Sequence, residues 1–436
     1  MAATASAVAT GFTGTTWLRS AALADGRVVD VCLDAASGTI TEILDARREL
    51  PRSEQPAQPT SPNRPAGNVT NIDLDGYLLL PAPAEPHAHL DKALTADLIP
   101  NTTGDLMGAI TAWIEQASDF YTFNDIVERA RRAALELLYS GTTAIRTHVN
   151  VYEGIETDAA AALIVVRNEL ASLMDIQIVA LVGDTKADNL ARLKTILEMD
   201  PKAIVGGCPH LDGDGTASTA STDTLLKIAS EFQRPIDLHT DETLNPSILD
   251  LPYFAQRVQE TEFGFGATAS HCVSLAMQPL DVQNHVAEEV GAAGVHVIAL
   301  PQTNLFLQGR DHAVGSPRGL TAIKALRAAG VNVAAGADNV RDPFNSMGRA
   351  DSLETASLMV MAGHLLPEDA YATVSTNARL AMGLPAVSVS IGSPAELLAI
   401  PGASVGDAIA RADQQRMVFH QGRLVASTKV QRTLAT

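Results

Sequence analysis

The sequence predicts a (β/α)8 barrel joined to a small β unit that is built from both chain ends. Three observations lead there. Short β-branched or apolar runs alternate with Ala/Leu-rich helical stretches eight times between residue 77 and about residue 335, the pattern of parallel strands joined by helical crossovers. Histidines and carboxylates stand just after those runs, at the barrel rim where such folds carry their chemistry. Outside the repeat, both ends switch to strand–turn–strand material. A chain of 436 residues has room for a barrel with an accessory unit.

Residues 1–76 read as short strands and turns, with β-rich runs at 28–33 and 38–44 separated by Asp/Gly turns. A polar, proline-rich stretch from about 45 to 68 reads as an exposed loop. The barrel strands are expected at 77–81, 143–149, 176–182, 203–208, 236–239, 267–271, 295–300 and 331–335. The helices between them are expected at 125–139, 158–174, 190–199, 222–232, 249–261, 281–293 and 320–329. After Leu384 the runs 394–401 and 416–425 are again strand material, able to rejoin the N-terminal strands. The expected division is therefore 1–76 with 385–436 as one composite β domain, and 77–384 as the barrel.

Bulk properties narrow the function. Hydrophobic residues make up 46% and charged residues 19%, enough for a sizeable core. The net charge of -19 repels phosphate backbones and anionic bilayers, so neither nucleic acid nor membrane is an expected partner. No run approaches the roughly 18 apolar residues of a membrane span. No basic region precedes an apolar stretch at the N-terminus, so no signal peptide is read. Cys32, Cys208 and Cys272 lack disulfide or zinc-finger spacing and suit a reducing cytoplasm.

The chemistry gathers at the strand ends. Glu85-Pro86-His87-Ala88-His89-Leu90-Asp91-Lys92 follows the first apolar run, and alternate residues of a strand share a face, so His87 and His89 point together. Two imidazoles at one strand end make half of a divalent-metal site. Of 11 histidines, six (His87, His89, His148, His210, His239 and His271) lie just after expected strands. One such histidine is ordinarily a satisfied core residue; six on one rim point to a metal site. Strand eight ends in Asp338-Asn339, and Glu242 stands three residues past His239. Asp91 and Lys92 read as a salt bridge or as support for a histidine.

At this point the chain resembles the amidohydrolase superfamily, in its cytosine deaminase-like branch. The motifs are E-P-H-A-H-L-D-K at 85–92, I-D-L-H-T-D-E at 236–242, T-A-S-H at 268–271, L-P-Q-T-N-L-F-L-Q-G-R at 300–310 and G-A-D-N-V-R-D-P-F-N-S-M-G at 336–348. The resemblance implies a barrel capped by a β-sandwich from the two termini, and one divalent metal ion (Zn, Fe or Mn). It implies His87, His89, His239 and Asp338 as ligands, Asp338 also as an acceptor of the water's proton, Glu242 as the proton shuttle and His271 as the residue orienting the activated water. The implied reaction is hydrolytic deamination of a small aminated heterocycle. Alternatives are release of a substituted amine, as from an s-triazine, and opening of a cyclic amide; a non-catalytic homologue would lack a ligand or Glu242, and neither is missing. Members of the branch often assemble, so homo-oligomers are an expectation by analogy alone.

The substrate-reading positions depart from the branch. Gly183 stands where cytosine deaminases carry a glutamine that reads the pyrimidine amide edge, with Asp184 as a neighbour able to take over. Asn339 replaces a second aspartate and Phe344 a tryptophan. His148 and His210 are read as rim histidines that either contact substrate or brace the ligands. The expected substrate is a heterocycle other than cytosine.

Overall fold

The computed structural model describes residues 14–46, 68–212 and 215–435. The proline-rich stretch falls, but for its ends, outside the described residues. Two eight-stranded sheets organise the rest. No described helix is long and apolar enough to cross a membrane.

The first sheet joins both chain ends. Its strands are β1 (Gly14–Ala22), β2 (Val28–Asp34), β3 (Thr39–Asp45), β4 (Asn68–Asp73), β5 (Tyr77–Pro81), β14 (Leu397–Pro401), β15 (Met417–His420) and β16 (Arg423–Ser427). The order is β16-β15-β14-β5-β1-β2-β3, with β4 parallel to β1. The second sheet is parallel and runs β6 (Ala84–Ala88), β7 (Ala144–Val151), β8 (Asp175–Val182), β9 (Ile204–Gly207), β10 (Ile236–Thr240), β11 (Ala267–His271), β12 (His296–Ala299) and β13 (Val333–Ala335). Helices separate successive strands, as a (β/α)8 barrel requires.

One strand assignment is corrected. The run Tyr77–Pro81 does not open the barrel; it pairs antiparallel with β14, Leu79 opposite Ala399 and Pro81 opposite Leu397. Its apolar residues serve two cores. Leu79 packs with Leu397 and Phe419 under the terminal sheet, while Leu78 and Leu80 join the barrel's core. A run apolar on both faces reads as a buried strand in either place. The true first barrel strand, Ala84–Ala88, escapes the pattern because Pro86 sits inside it. Proline is tolerated in a strand mainly at a bulge or edge, and the pairing of β6 with β7 is irregular between Glu85 and Ala88.

The seam that closes the barrel is also where the chemistry sits. Asp338 N donates to His87 O at 3.0 Å, and His89 N donates to Asp338 O at 3.1 Å. Closure therefore brings Asp338 against His87 and His89. Below this level the interior is polar. Arg146 donates to Asp237 Oδ2 at 2.8 Å, to Thr268 Oγ1 at 3.3 Å and to Gln177 Oε1 at 2.9 Å.

A buried ionic group fastens the terminal sheet to the barrel. Glu396 Oε2 lies 2.9 Å from His420 Nδ1 and accepts from Arg379 at 3.2 Å, while Glu396 Oε1 accepts from Gln421 N at 3.0 Å. Removing one member of a buried ionic group leaves an uncompensated charge, at a cost of about 3–5 kcal/mol. Glu396→Ala is thus expected to lower the unfolding free energy by that amount, read as a lower urea midpoint at unchanged slope. A midpoint equal to the parent's contradicts this role for the group.

Candidate metal centre and active site

The four candidate ligands come from three strands of the rim. His87 lies within β6, His89 just beyond it, His239 near the end of β10, and Asp338 three residues past β13. Buried neutral imidazoles need their remaining nitrogens satisfied, and here the sequence supplies the partners. Ser270 Oγ donates to Asp237 Oδ1 at 3.2 Å, so it accepts from His87 Nδ1 at 2.9 Å. That leaves His87 Nε2 with a free lone pair, buried and without a hydrogen-bond partner. Lys92 Nζ lies 3.0 Å from His89 Nδ1.

The atoms left over converge. His89 Nε2 is 3.3 Å from Asp338 Oδ1 and 3.3 Å from His239 Nε2, and His87 Nε2 is 3.6 Å from Asp338 Oδ1. Ligands about 2.1 Å from a tetrahedral ion stand on the order of 3.4 Å apart. The spacing fits a divalent cation, and two imidazole nitrogens facing each other in the interior have no better partner. Burial and the neighbouring imidazoles hold His87, His89 and His239 well below the usual histidine range, so all three offer lone pairs at neutral pH. Burial, then the neighbouring Glu242 and Asp342 carboxyls, push Asp338 well above the usual carboxylate range, the electrostatic condition a cation would relieve.

Backbone strain marks the same residues. Asp338 has φ +66°, His271 +69° and Asp241 +54°, a left-handed region that costs non-glycine residues about 1–3 kcal/mol and that clusters at functional sites. Asp241 is a structural carboxylate. It accepts from Asp250 N at 2.7 Å and Leu251 N at 3.1 Å, starting the helix Leu251–Glu260 and fixing the loop that carries Glu242.

Glu242 and His271 face the converging atoms from one side. Burial pushes the Glu242 carboxyl up to about 8, so it carries a proton at neutral pH. His271 Nδ1 lies 3.7 Å from Glu242 Oε1 and 3.2 Å from Asn304 Oδ1. Burial holds His271 down at about 3. If Asn304 Oδ1 accepts from Nδ1–H, the Nε2 lone pair of His271 is free.

A cavity of about 360 Å³ opens over this group. His89, His239, Glu242, His271 and Asp338 line it, as do Asp184, Asn339 and Phe344. Gly183 lines it too, and a Cβ there would meet nothing within 4 Å. The missing side chain therefore leaves open space. Asp184 is already engaged by Lys186 and Asn189. Asn339 is held by Thr303 and Asp342.

Two histidines expected at the substrate lie elsewhere. His148 is fully buried beneath the ligands, its ring 3.9 Å from that of His87 and its Nε2 3.5 Å from Asp237 Oδ1. It forms a second close triplet with His87 and His239, but it does not line the cavity. His210 donates from Nδ1 to His239 O at 3.1 Å and also stays outside the cavity wall. Neither reaches the cavity: His148 packs against the His87 ring and Asp237, and His210 against the backbone of His239.

Sequence reasoning missed an apolar and polar wall. Leu106, Ile110 and Trp113 line the cavity from the helix Leu106–Gln116, which the strand–helix pattern did not include. Their i, i+4, i+7 spacing after the N-cap Asp105 was the available signal. Asn150 and Tyr152 at the end of β7, together with Lys92 and Cys208, complete the wall. Asn150 shares a strand face with His148, which the alternation rule could have flagged.

The chain matches the family described as "Amidohydrolase family" over residues 128–426. It is 30% identical over 373 residues to the pterin deaminase of Rhizobium rhizogenes, covering 83% of this chain and 84% of that protein. It is 24% identical over 380 residues to the N-isopropylammelide isopropyl amidohydrolase of a Pseudomonas species, covering 82% and 88%. Among solved structures, 5-methylcytosine deaminase from Klebsiella pneumoniae liganded with 5-fluorocytosine superposes with a TM-score of 0.83 at 26% identity, covering 97% of this chain and 99% of that one.

Proposed function

We propose, from the premise that the chain belongs to the amidohydrolase family, that it hydrolytically deaminates a small aminated heterocycle, of the two-ring pterin type. The chain is a hydrolase acting on carbon–nitrogen bonds outside peptides, and its family is metal-dependent. The observation that carries the reading is the protonated, buried Glu242 sharing one cavity wall with His89, His239, His271 and Asp338, with His87 directly behind them.

His87, His89, His239 and Asp338 would hold one divalent ion, with Zn, Fe and Mn all suited to three imidazoles and a carboxylate. A divalent ion held there supplies activation of water at neutral pH. A second ion lacks ligands: β9 runs into Gly206-Gly207-Cys208, and burial pushes the Cys208 thiol up, away from the thiolate that binds metal. Asp338 accepts the proton of the attacking water. His271 Nε2 orients that water toward the carbon bearing the amine. Glu242 gives its proton to the adjacent ring nitrogen and, recharged from the water, to the departing amine. The water oxygen bonds to carbon and the C–N bond breaks; one of the water's two protons leaves on ammonia, and the other, taken up by Asp338, restores the proton that Glu242 gave to the ring nitrogen.

Two features favour two rings over one. The position held by glutamine in cytosine deaminases is Gly183, with open space beside it. The wall adds the aromatic faces of Trp113, Tyr152 and Phe344, suited to a flat ring system. The protein loaded with Zn, Fe(II) or Mn is expected to release ammonia from pterin faster than from cytosine, 5-methylcytosine, isocytosine or aminotriazines. Ammonia from cytosine alone would contradict the two-ring reading. A substituted amine without ammonia would move the assignment to the amine-releasing reaction named for the Pseudomonas relative.

A further inference from the structure

We infer that Asn150 and Tyr152 form a hydrogen-bond-donor wall that reads the acceptor nitrogens on the outer ring of the substrate, the ring away from the attacked carbon. The inference rests on the two-ring reading above and names the edge that such a substrate must present.

The argument is one of donors and acceptors. Lys92 Nζ lies 3.0 Å from Asn150 Oδ1. Lysine has no acceptor when charged, and even as a neutral amine beside His89 it keeps N–H bonds to give. The carboxamide must therefore turn its oxygen to Lys92, which leaves its two N–H bonds for other partners. Asn150 is half-buried and lines the cavity.

The same logic holds next door. Trp113 Nε1 is donor-only, and it lies 3.4 Å from the Tyr152 hydroxyl. The Tyr152 oxygen is thus the acceptor, and its own O–H is left to donate. Burial pushes the Tyr152 hydroxyl above its ordinary range, so that proton stays in place. Tyr152 lines the cavity as well.

Asn150 stands one side chain removed from the candidate ligands, with Lys92 between it and His89. His89 is 3.0 Å from Lys92 Nζ, Lys92 is 3.0 Å from Asn150, and Tyr152 lies two residues further along the chain. A ring attacked at the converging ligands presents its far side here. Donors for which the described residues show no acceptor call for ring nitrogens without hydrogen, or an oxo group, on that side. Of the carboxylates near this wall, Asp184 is tied to Lys186 and Asn189, and Asp91 Oδ2 already accepts from the Tyr121 hydroxyl at 2.7 Å and from Asn150 N at 3.2 Å.

The test compares pterin with 2-aminoquinazolin-4-one, which keeps the two-ring outline and the amine but replaces both outer-ring nitrogens with CH. The metal-loaded protein is expected to prefer pterin by at least ~10-fold in kcat/KM, the size of one or two hydrogen bonds. Asn150→Asp keeps a partner for Lys92 while replacing the donors with acceptors, and Tyr152→Phe deletes the hydroxyl alone. Each is expected to cut the preference about 10-fold with metal content unchanged. The same ratio is read as dissociation constants by calorimetry in the Glu242→Gln background. A merely structural role lowers both compounds alike; an unmoved ratio in a protein that deaminates pterin overturns this inference alone. If neither two-ring compound binds while a one-ring aminopyrimidine reacts, the two-ring reading falls and takes this inference with it.

Discussion

Glu242→Gln is expected to bind its divalent ion at the parent's stoichiometry and to lose about 10²–10⁴-fold in kcat, the range of a positioned general acid–base. The carboxyl lines the cavity, sits 3.7 Å from His271 Nδ1 and has no hydrogen-bonding partner that would hold it charged. Burial alone raises it to about 8, which makes it a donor at neutral pH and a willing acceptor once the reaction develops charge. Glutamine has the same shape and hydrogen-bonding reach but cannot pass a proton on. Metal analysis beside single-turnover kinetics separates the two properties. Turnover within a factor of two or three of the parent would remove Glu242 from the mechanism.

His239→Ala carries the other large effect. The three distances of 3.3 to 3.6 Å between candidate ligand atoms all run through His89 or Asp338, and His239 meets the group at His89 Nε2, 3.3 Å away. Without it the site keeps two imidazoles and one carboxylate, and the bound ion is expected to be lost on dialysis. Metal stabilises a fold that binds it by RT ln(1 + [L]/Kd), about 4 kcal/mol at 1,000 times Kd. The parent's melting temperature should therefore rise when Zn is restored, and the variant's should not. Full occupancy in His239→Ala, or an equal thermal gain, would sink its assignment as a ligand.

The barrel was legible because its signal is periodic and repeated: seven of the expected strands sit where the β-branched runs put them, from Ala144–Val151 to Val333–Ala335. The first strand was not, because Pro86 breaks the pattern of Ala84–Ala88 while the stronger run Tyr77–Pro81 serves the terminal sheet. That His87, His89, His239 and Asp338 come together could be read from their places in the chain, since strand ends of a barrel share one rim. Which rim histidines line the cavity could not. Nothing in the sequence separates His148, which stays out of the cavity, from His89, which lines it; both stand near strand ends and both are buried. The donor wall was hidden for a different reason. Asn150 and Tyr152 gain their meaning from Lys92 and Trp113, partners 58 and 39 residues away in the chain, and no local pattern encodes which end of a carboxamide faces a cavity.

The most direct test of the account is to run the metal-loaded protein on pterin in oxygen-18-labelled water and follow both products by mass spectrometry. Hydrolytic deamination predicts one labelled oxygen in the ring product, in place of the amine, and one ammonia for each product formed. A labelled but ring-opened product without ammonia, or ammonia release with no label at the aminated carbon, would contradict it.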